Sequence, residues 1–338
     1  MTETTMLAGR LTISTREFSV ERVPVPEPAR GEVRVKVGAA GVCLSDVHLI
    51  EGLLTPSLLD GDVVTLGHEV SGTVDTLGAD VTGWAPGDRV VVKAGHEKNG
   101  QVYTMGVDYD GGWAEYLVAP ADNLVAMPDD LPFEQGAIIP DAVSTPWSAI
   151  ETTAQLRPGD AVGVWGVGGL GVHAVQLLRF AGAAPIIAID PLEEARTRAA
   201  DFGADVVLDP GDPEFREKMR DATSGRGLDV AFDFAGVDAV RAQAISSLGV
   251  DGRLVLVGLS GTPITIANSN KFTHMRKSIL GHYGSEPQHV DKLVELTRLG
   301  RIEFSRSISG RIPLAEAAEA VRMLEHKEGN PIRLVLVP

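Results

Sequence analysis

Cysteine is almost missing: Cys43 is the single one in 338 residues. That excludes a disulfide framework within the chain and fits a reducing compartment, so a cytoplasmic protein is expected. Positive charge is also scarce, with 30 Lys and Arg against 46 Asp and Glu and a net charge of −16. Such a field repels phosphate, which argues against nucleic acid or an anionic membrane as the main partner. Long apolar runs are lacking too. The most apolar segment, AVGVWGVGGLGVHAV (161–175), is too short and too rich in glycine to span a bilayer, and MTETTMLAGRLTIS has no basic stretch leading into an apolar one. What the chain has in quantity is glycine, 38 residues of it, which implies many tight turns and close backbone approaches.

The distribution of elements divides the chain. Over the first 140 residues, GEVRVKVGAAGVC, HEVSGTVDTLG, GDRVVVKAG and GGWAEYLVAP are short β-type runs broken by Gly, Pro and Asp, with no helices between them. They predict an irregular antiparallel barrel or sandwich. From Pro146 to Ser285, β-type runs (AVGVWGVG, PIIAID, DVVLD, DVAFDFAG, RLVLVGL) alternate with helical patterns, the order of an α/β doubly wound parallel sheet. The tail, with PQHVDKLVELTRLG, AAEAVRMLEH and the strand IRLVLVP, is assigned to the first domain. The expected domains are therefore 1–145 with 286–338, and 146–285. RLVLVGLSGTPITI is the expected edge of the second sheet, open to pairing between subunits.

The loop Gly166-Val167-Gly168-Gly169-Leu170-Gly171 carries GxGxxG directly after a strand and before a helix. Its first glycine makes a tight turn, its second lets backbone approach a pyrophosphate, and its third lets helix and strand pack closely. The helix N-terminus then offers N–H groups and a positive dipole end to the phosphates. The next strand ends in Asp190, nineteen residues after Gly171, where a carboxylate holds a ribose 2′-hydroxyl and repels a 2′-phosphate. Pro191 and Leu192 supply no compensating arginine, so NAD is expected rather than NADP.

Cys43, His68 and Asp141 are candidate metal ligands, of the residue types that bind zinc. Taken singly, each has an ordinary structural explanation: a small buried hydrophobe, a turn histidine, a helix cap.

GVCLSDVH, LGHEVSGTV, GDRVVV, GGWAEYLVAP and GVGGLG occur in the order and spacing of the zinc-dependent medium-chain dehydrogenase/reductase family, the alcohol dehydrogenases, which the chain resembles over nearly its whole length. IIPDAVSTPWSAI resembles the bacterial secondary alcohol dehydrogenase subgroup in which Asp replaces a zinc-binding Cys. The resemblance implies a GroES-like β-barrel catalytic domain beside a Rossmann domain. It implies one catalytic Zn²⁺ per subunit on Cys43, His68 and Asp141, with water or Glu69 as the changeable fourth ligand. A thiolate and a carboxylate neutralise the ion, so permanent coordination by Glu69 would make a poorer Lewis acid; a transient contact is the expected role. Asp46 is expected to fix the tautomer of His68, Ser45 to take the substrate proton, His48 to pass it to solvent, and Arg333 to bind the cofactor pyrophosphate. Hydride would pass between NAD(H) and a small alcohol or ketone, secondary or cyclic, in a homodimer or homotetramer.

The chain departs from the family in a lobe where many relatives hold a structural zinc on four cysteines. KAGHEKNGQVYTMGVDYDGG has none, and His96, Asp108 and Asp110 are no substitute. Leu44 stands where some relatives place a cationic phosphate contact, and His282 and Tyr283 in GHYGS have no assigned role. Trp113, Trp147 and the segment Leu53–Leu59 are expected to wall an apolar substrate pocket. Two other functions compete: a zinc-free quinone or enone reductase on the same fold, which has no use for the ligand set, and a non-catalytic NAD(H)-binding protein.

Overall fold

The computed structural model describes residues 4–338. It divides into two compact units, the chain up to Ala142 together with Glu286–Pro338, and Val143–Ser285.

The first unit is built from β1 (Thr5–Thr12), β2 (Glu17–Pro24), β3 (Glu32–Val42), β4 (Val63–Thr65), β5 (Val70–Leu77), β6 (Arg89–Val92), β7 (Gly95–Lys98), β8 (Gln101–Thr104), β9 (Tyr116–Pro120) and β10 (Leu124–Ala126). A small sheet has the order β2-β1-β4, and its β1–β2 hairpin was not foreseen from the sequence. In the second unit β11 (Val162–Trp165), β12 (Ile186–Ile189), β13 (Val206–Leu208), β14 (Leu228–Asp233), β15 (Leu248–Leu256) and β16 (Ser278–Gly281) follow, and β17 (Ile308–Pro313) and β18 (Arg333–Val337) return to the first. The larger sheet of the first unit runs β10-β6-β5-β3-β18-β17, with β9 also on β3. β3 is the hub: β5, β9 and β18 all pair with it antiparallel, and its eleven residues are long enough to serve all three. The fully buried Trp113, Leu49, Leu66 and Met105 lie in the core of this unit.

The second unit is a six-stranded, wholly parallel sheet in the order β13-β12-β11-β14-β15-β16. β11 (VGVW) and β12 (IIAI) are buried at every residue, as strands covered by helices on both faces must be. The edge is not where the sequence placed it. β15, which contains RLVL, pairs on both sides, and β16 lies outside it. β16 is only four residues long and opens on the polar Ser278, so its sequence carries no apolar run. Among the described residues no helix is long and apolar enough to cross a membrane.

Candidate active site

β3 ends at Val42, and the next residue, Cys43, caps the helix Leu44–Glu51. Asp46, fully buried in the first turn, accepts the backbone N–H of Cys43 at 2.9 Å through Oδ2. The cap therefore fixes the Cys43 backbone that presents the thiol. His68 and Glu69 occupy the turn between β4 and β5. Gly67 there adopts φ +95°, and a Cβ on it would stand 2.3 Å from the Trp113 ring. Trp113 is fully buried and donates its indole N–H to the Gly41 carbonyl at 3.0 Å. It backs the ligand-bearing turn instead of walling a substrate pocket, a correction to the sequence reading. Apolar residues read alike in sequence whether they line a cavity or fill a core.

Asp141 lies within a π-helical turn, Ile139–Val143, not at the cap of the following helix. Such turns shift the register of the chain and recur at functional sites. Its Oδ2 stands 3.3 Å from Cys43 Sγ and 3.5 Å from His68 Nε2. Ligand atoms around a tetrahedral zinc stand roughly 3.2–3.6 Å apart, so these separations fit one ion held by all three. The four groups Cys43, His68, Glu69 and Asp141 present ligand atoms within 4.8 Å of one another, and no other such convergence occurs among the described residues.

Two further observations bear on the fit of a cation. His68 Nδ1 is buried without a hydrogen bond and faces Asp46 Oδ1, also without one, at 3.6 Å. A small closure of that gap would fix the imidazole with Nε2 turned to the ligand cluster. Burial works against a charged imidazole, yet Asp46 and Asp141 outweigh it and hold the His68 pKa well above the ordinary histidine value. The pocket is rich in negative charge and draws in positive charge. Ser45 Oγ lies 3.6 Å from Cys43 Sγ, and half-buried His48 follows three residues later on the same face of the helix.

Glu69 does not point freely at this centre. Arg333, 2% exposed on β18, donates Nε to Oε2 at 3.2 Å and Nη2 to Oε1, and the Ala142 N–H reaches Oε1 at 3.1 Å. Arg333 Nη2 also lies 3.5 Å from Asp141 Oδ2. Arg333 and Glu69 thus form a buried ion pair on the first unit. A guanidinium so engaged between two carboxylates is held where its charge is already compensated. Burial raises the Glu69 pKa to about 7 against the pull of Arg333. Gly41 makes room for this carboxylate: a Cβ there would lie 1.9 Å from Oε2.

In the second unit Gly166 takes φ +83° and nothing lies within 4 Å of where a Cβ on Gly168 would stand. A Cβ on Gly171 would meet the Gly166 carbonyl oxygen at 1.9 Å, so the third glycine closes the loop onto its helix, Gly171–Ala181. Gly171→Ala is expected to displace the loop and weaken NADH binding about tenfold or more, measured by nicotinamide fluorescence. Asp190 is buried and accepts the Val167 N–H and the Leu192 N–H, each at 3.0 Å. Pro191 and Leu192, directly after it, carry no charge. The helix Glu193–Asp201 brings two arginines back: Arg196 Nη1 donates to the carbonyls of Asp190 and Pro191, and Arg198 Nη2 to that of Val167. Helical spacing was the signal that could have found them.

The residues left unassigned are also placed. His282 joins Thr153 Oγ1 at 2.8 Å and the Thr145 carbonyl at 3.1 Å, bracing the helical segment after Val143, while Tyr283 is 71% exposed. In the cysteine-free lobe His96 stacks on Tyr103 at 5.6 Å and meets the edge of Tyr109 at 5.1 Å. Asp108 accepts the N–H groups of Leu58 and Thr104, and Asp110 pairs with Arg10, so these acids do not converge with His96. Leu44 is 44% exposed and Leu53 76%.

Known proteins match both units. The alcohol dehydrogenase GroES-like domain matches residues 29–129 and the zinc-binding dehydrogenase domain residues 169–298. A sorbitol dehydrogenase of Bacillus subtilis is 32% identical over 73% of this chain and 73% of its own. An NAD-dependent alcohol dehydrogenase of Sulfurisphaera tokodaii is 28% identical over 98% of this chain and 100% of its own. The crystal structure of the 2R,3R-butanediol dehydrogenase from Bacillus subtilis superposes with a TM-score of 0.89 at 27% identity, covering 98% of this chain and 99% of that one. The chain belongs to the zinc-dependent medium-chain dehydrogenase/reductase family, the alcohol dehydrogenases.

Proposed function

We propose that this enzyme, an NAD-dependent alcohol oxidoreductase, acts on secondary or cyclic alcohols and their ketones, with Cys43, His68 and Asp141 holding one zinc ion. The convergence of these three side chains, Cys43 and Asp141 being 98 residues apart in sequence, carries this reading. When bound, zinc polarises the substrate oxygen and lowers the pKa of a hydroxyl on it toward neutrality, and NAD⁺ accepts the hydride.

The remaining work falls to the chain. Asp46 orients the His68 imidazole. Ser45, next to the thiol, takes the hydroxyl proton, and His48, one turn further, passes it to solvent. Arg333 neutralises Glu69 and holds it back from the ion, so that Cys43 and Asp141 alone supply two negative charges and the metal keeps its Lewis acidity. Val167, Gly168, Gly169 and Leu170 offer the cofactor a phosphate cradle at the start of the helix, and Asp190 a ribose acceptor. Self-association as a homodimer or homotetramer, with β16 as the open edge, and a cytoplasmic setting complete the proposal.

The test combines metal analysis of washed protein with a panel of primary, secondary and cyclic alcohols offered with NAD⁺ and NADP⁺. One zinc per chain is expected, and activity on secondary alcohols that chelation removes and zinc restores. Two zincs per chain would overturn the single-metal reading. Turnover surviving complete zinc removal would favour the quinone or enone reductase, and tight NADH binding with no turnover the non-catalytic protein.

A further inference from the structure

We propose a second small-molecule site on the parallel-sheet unit, a pocket beside the buried Lys277 that binds a short-chain monocarboxylate. It goes beyond the alcohol chemistry above, and none of its residues belongs to the ligand cluster or the glycine loop.

Lys277 directly precedes β16 and is 8% exposed, the one lysine among the described residues to be buried. Its Nζ donates to the Ile245 carbonyl at 2.7 Å. That carbonyl lies in the last turn of the helix Asp238–Ser247, where carbonyls lack a partner within the helix and the dipole is negative. The helix end thus accounts for one of the three N–H bonds of the ammonium. No acidic side chain pairs with it among the described residues, and burial, with Lys271 adding to it, lowers its pKa. A buried cation with a single carbonyl for a partner is poorly compensated, and a carboxylate beside it would supply the missing charge.

Lys277 lines a cavity of about 130 Å³ whose walls include Ile245, Ile266 and Phe272. Its only charged groups are Lys271 and Lys277. In a chain of net charge −16, a pocket with two cations and no acid is a local exception. Asn268 also lines it; its Oδ1 accepts the Lys271 N–H at 2.8 Å, so its amide nitrogen is left to donate. Phosphate or sulfate would turn oxygens onto apolar walls that offer no donor. A monocarboxylate concentrates charge at one end and presents carbon elsewhere, the pattern these walls match. A cavity of roughly 150 Å³ holds benzene, so this one suits about six to eight non-hydrogen atoms, from butanoate to hexanoate.

The experiment is calorimetric titration of the full chain, in its native association state, with acetate, butanoate, hexanoate, octanoate and the uncharged hexanamide. Affinity should climb about fourfold per methylene up to hexanoate and stop rising at octanoate. Hexanamide should bind about tenfold or more weakly than hexanoate, and Lys277→Met should weaken hexanoate by about the same factor. Ala242→Phe, at an exposed position on the cavity wall, should abolish binding by filling the space, a readout that stands even if Lys277→Met fails to fold. Turnover of alcohol should be unchanged in Ala242→Phe. Three results would each overturn the site: no hexanoate binding in wild type, equal binding in wild type and both variants, or affinity still rising through octanoate.

Discussion

Cys43→Ala and Asp141→Asn, made singly, should each leave a folded protein that loses its zinc on dialysis and falls about a thousandfold or more in kcat/KM with a secondary alcohol. The size follows from what a bound ion supplies, several kcal/mol of charge stabilisation at the reacting oxygen, where each 1.4 kcal/mol is about tenfold in rate. The fold should survive because both side chains belong to a polar cluster and not to the apolar core. The two changes also differ. Asp141→Asn keeps the shape but leaves only the thiolate to balance the ion, whereas Cys43→Ala removes the softer ligand. Weak, exchangeable zinc is expected in the first and almost none in the second. Metal content by mass spectrometry beside circular dichroism checks both. Full zinc content with full activity in either variant would remove the basis of the proposed site.

Arg333→Met is expected to be the most damaging change to stability. The methionine fills comparable space but strips Glu69 of its cation, and breaking a buried pair from one side costs about 3–5 kcal/mol. Glu69 is fully buried and close to Asp141, so the carboxyl should escape by holding a proton. The sign is definite. Burial already raises the Glu69 pKa to about 7 in the folded chain, above its ordinary 4.5, so between those values the native state keeps a proton that the unfolded state gives up. That contribution is full below the unfolded pKa and is lost as pH rises through the folded one. Without Arg333 the folded pKa moves higher, and the penalty relative to wild type should be larger at pH 8 than at pH 6 in metal-free protein. Urea melts at the two pH values measure it. Adding Glu69→Gln to Arg333→Met should recover much of the loss, because the carboxylate left without its cation is then gone as well.

Much of the nucleotide-binding unit was legible because its signals are local. A six-residue glycine pattern between a strand and a helix, with an acid after the next strand, states its chemistry within one βαβ unit. The fully buried β11 and β12 show why: a strand covered on both faces is apolar throughout and stands out in any window. The other unit was legible chiefly through family likeness. Cys43, His68 and Asp141 are brought together by a cap, a glycine turn and a π turn, none of which marks itself as belonging with the others. The partnership of Arg333 with Glu69 spans 264 positions, and no periodicity links them. Arg198 was missed for a smaller reason, a helix folding back over the loop it follows.

β18 has a consequence for the order in which this enzyme is made. It is the last strand of the chain and sits beside β3, carrying Arg333 to a carboxylate translated more than 250 residues earlier. While a ribosome is still writing the parallel sheet, Glu69 has no cation and the flank of β3 lies bare. The buried ion pair can therefore close only after the whole parallel sheet has left the exit tunnel.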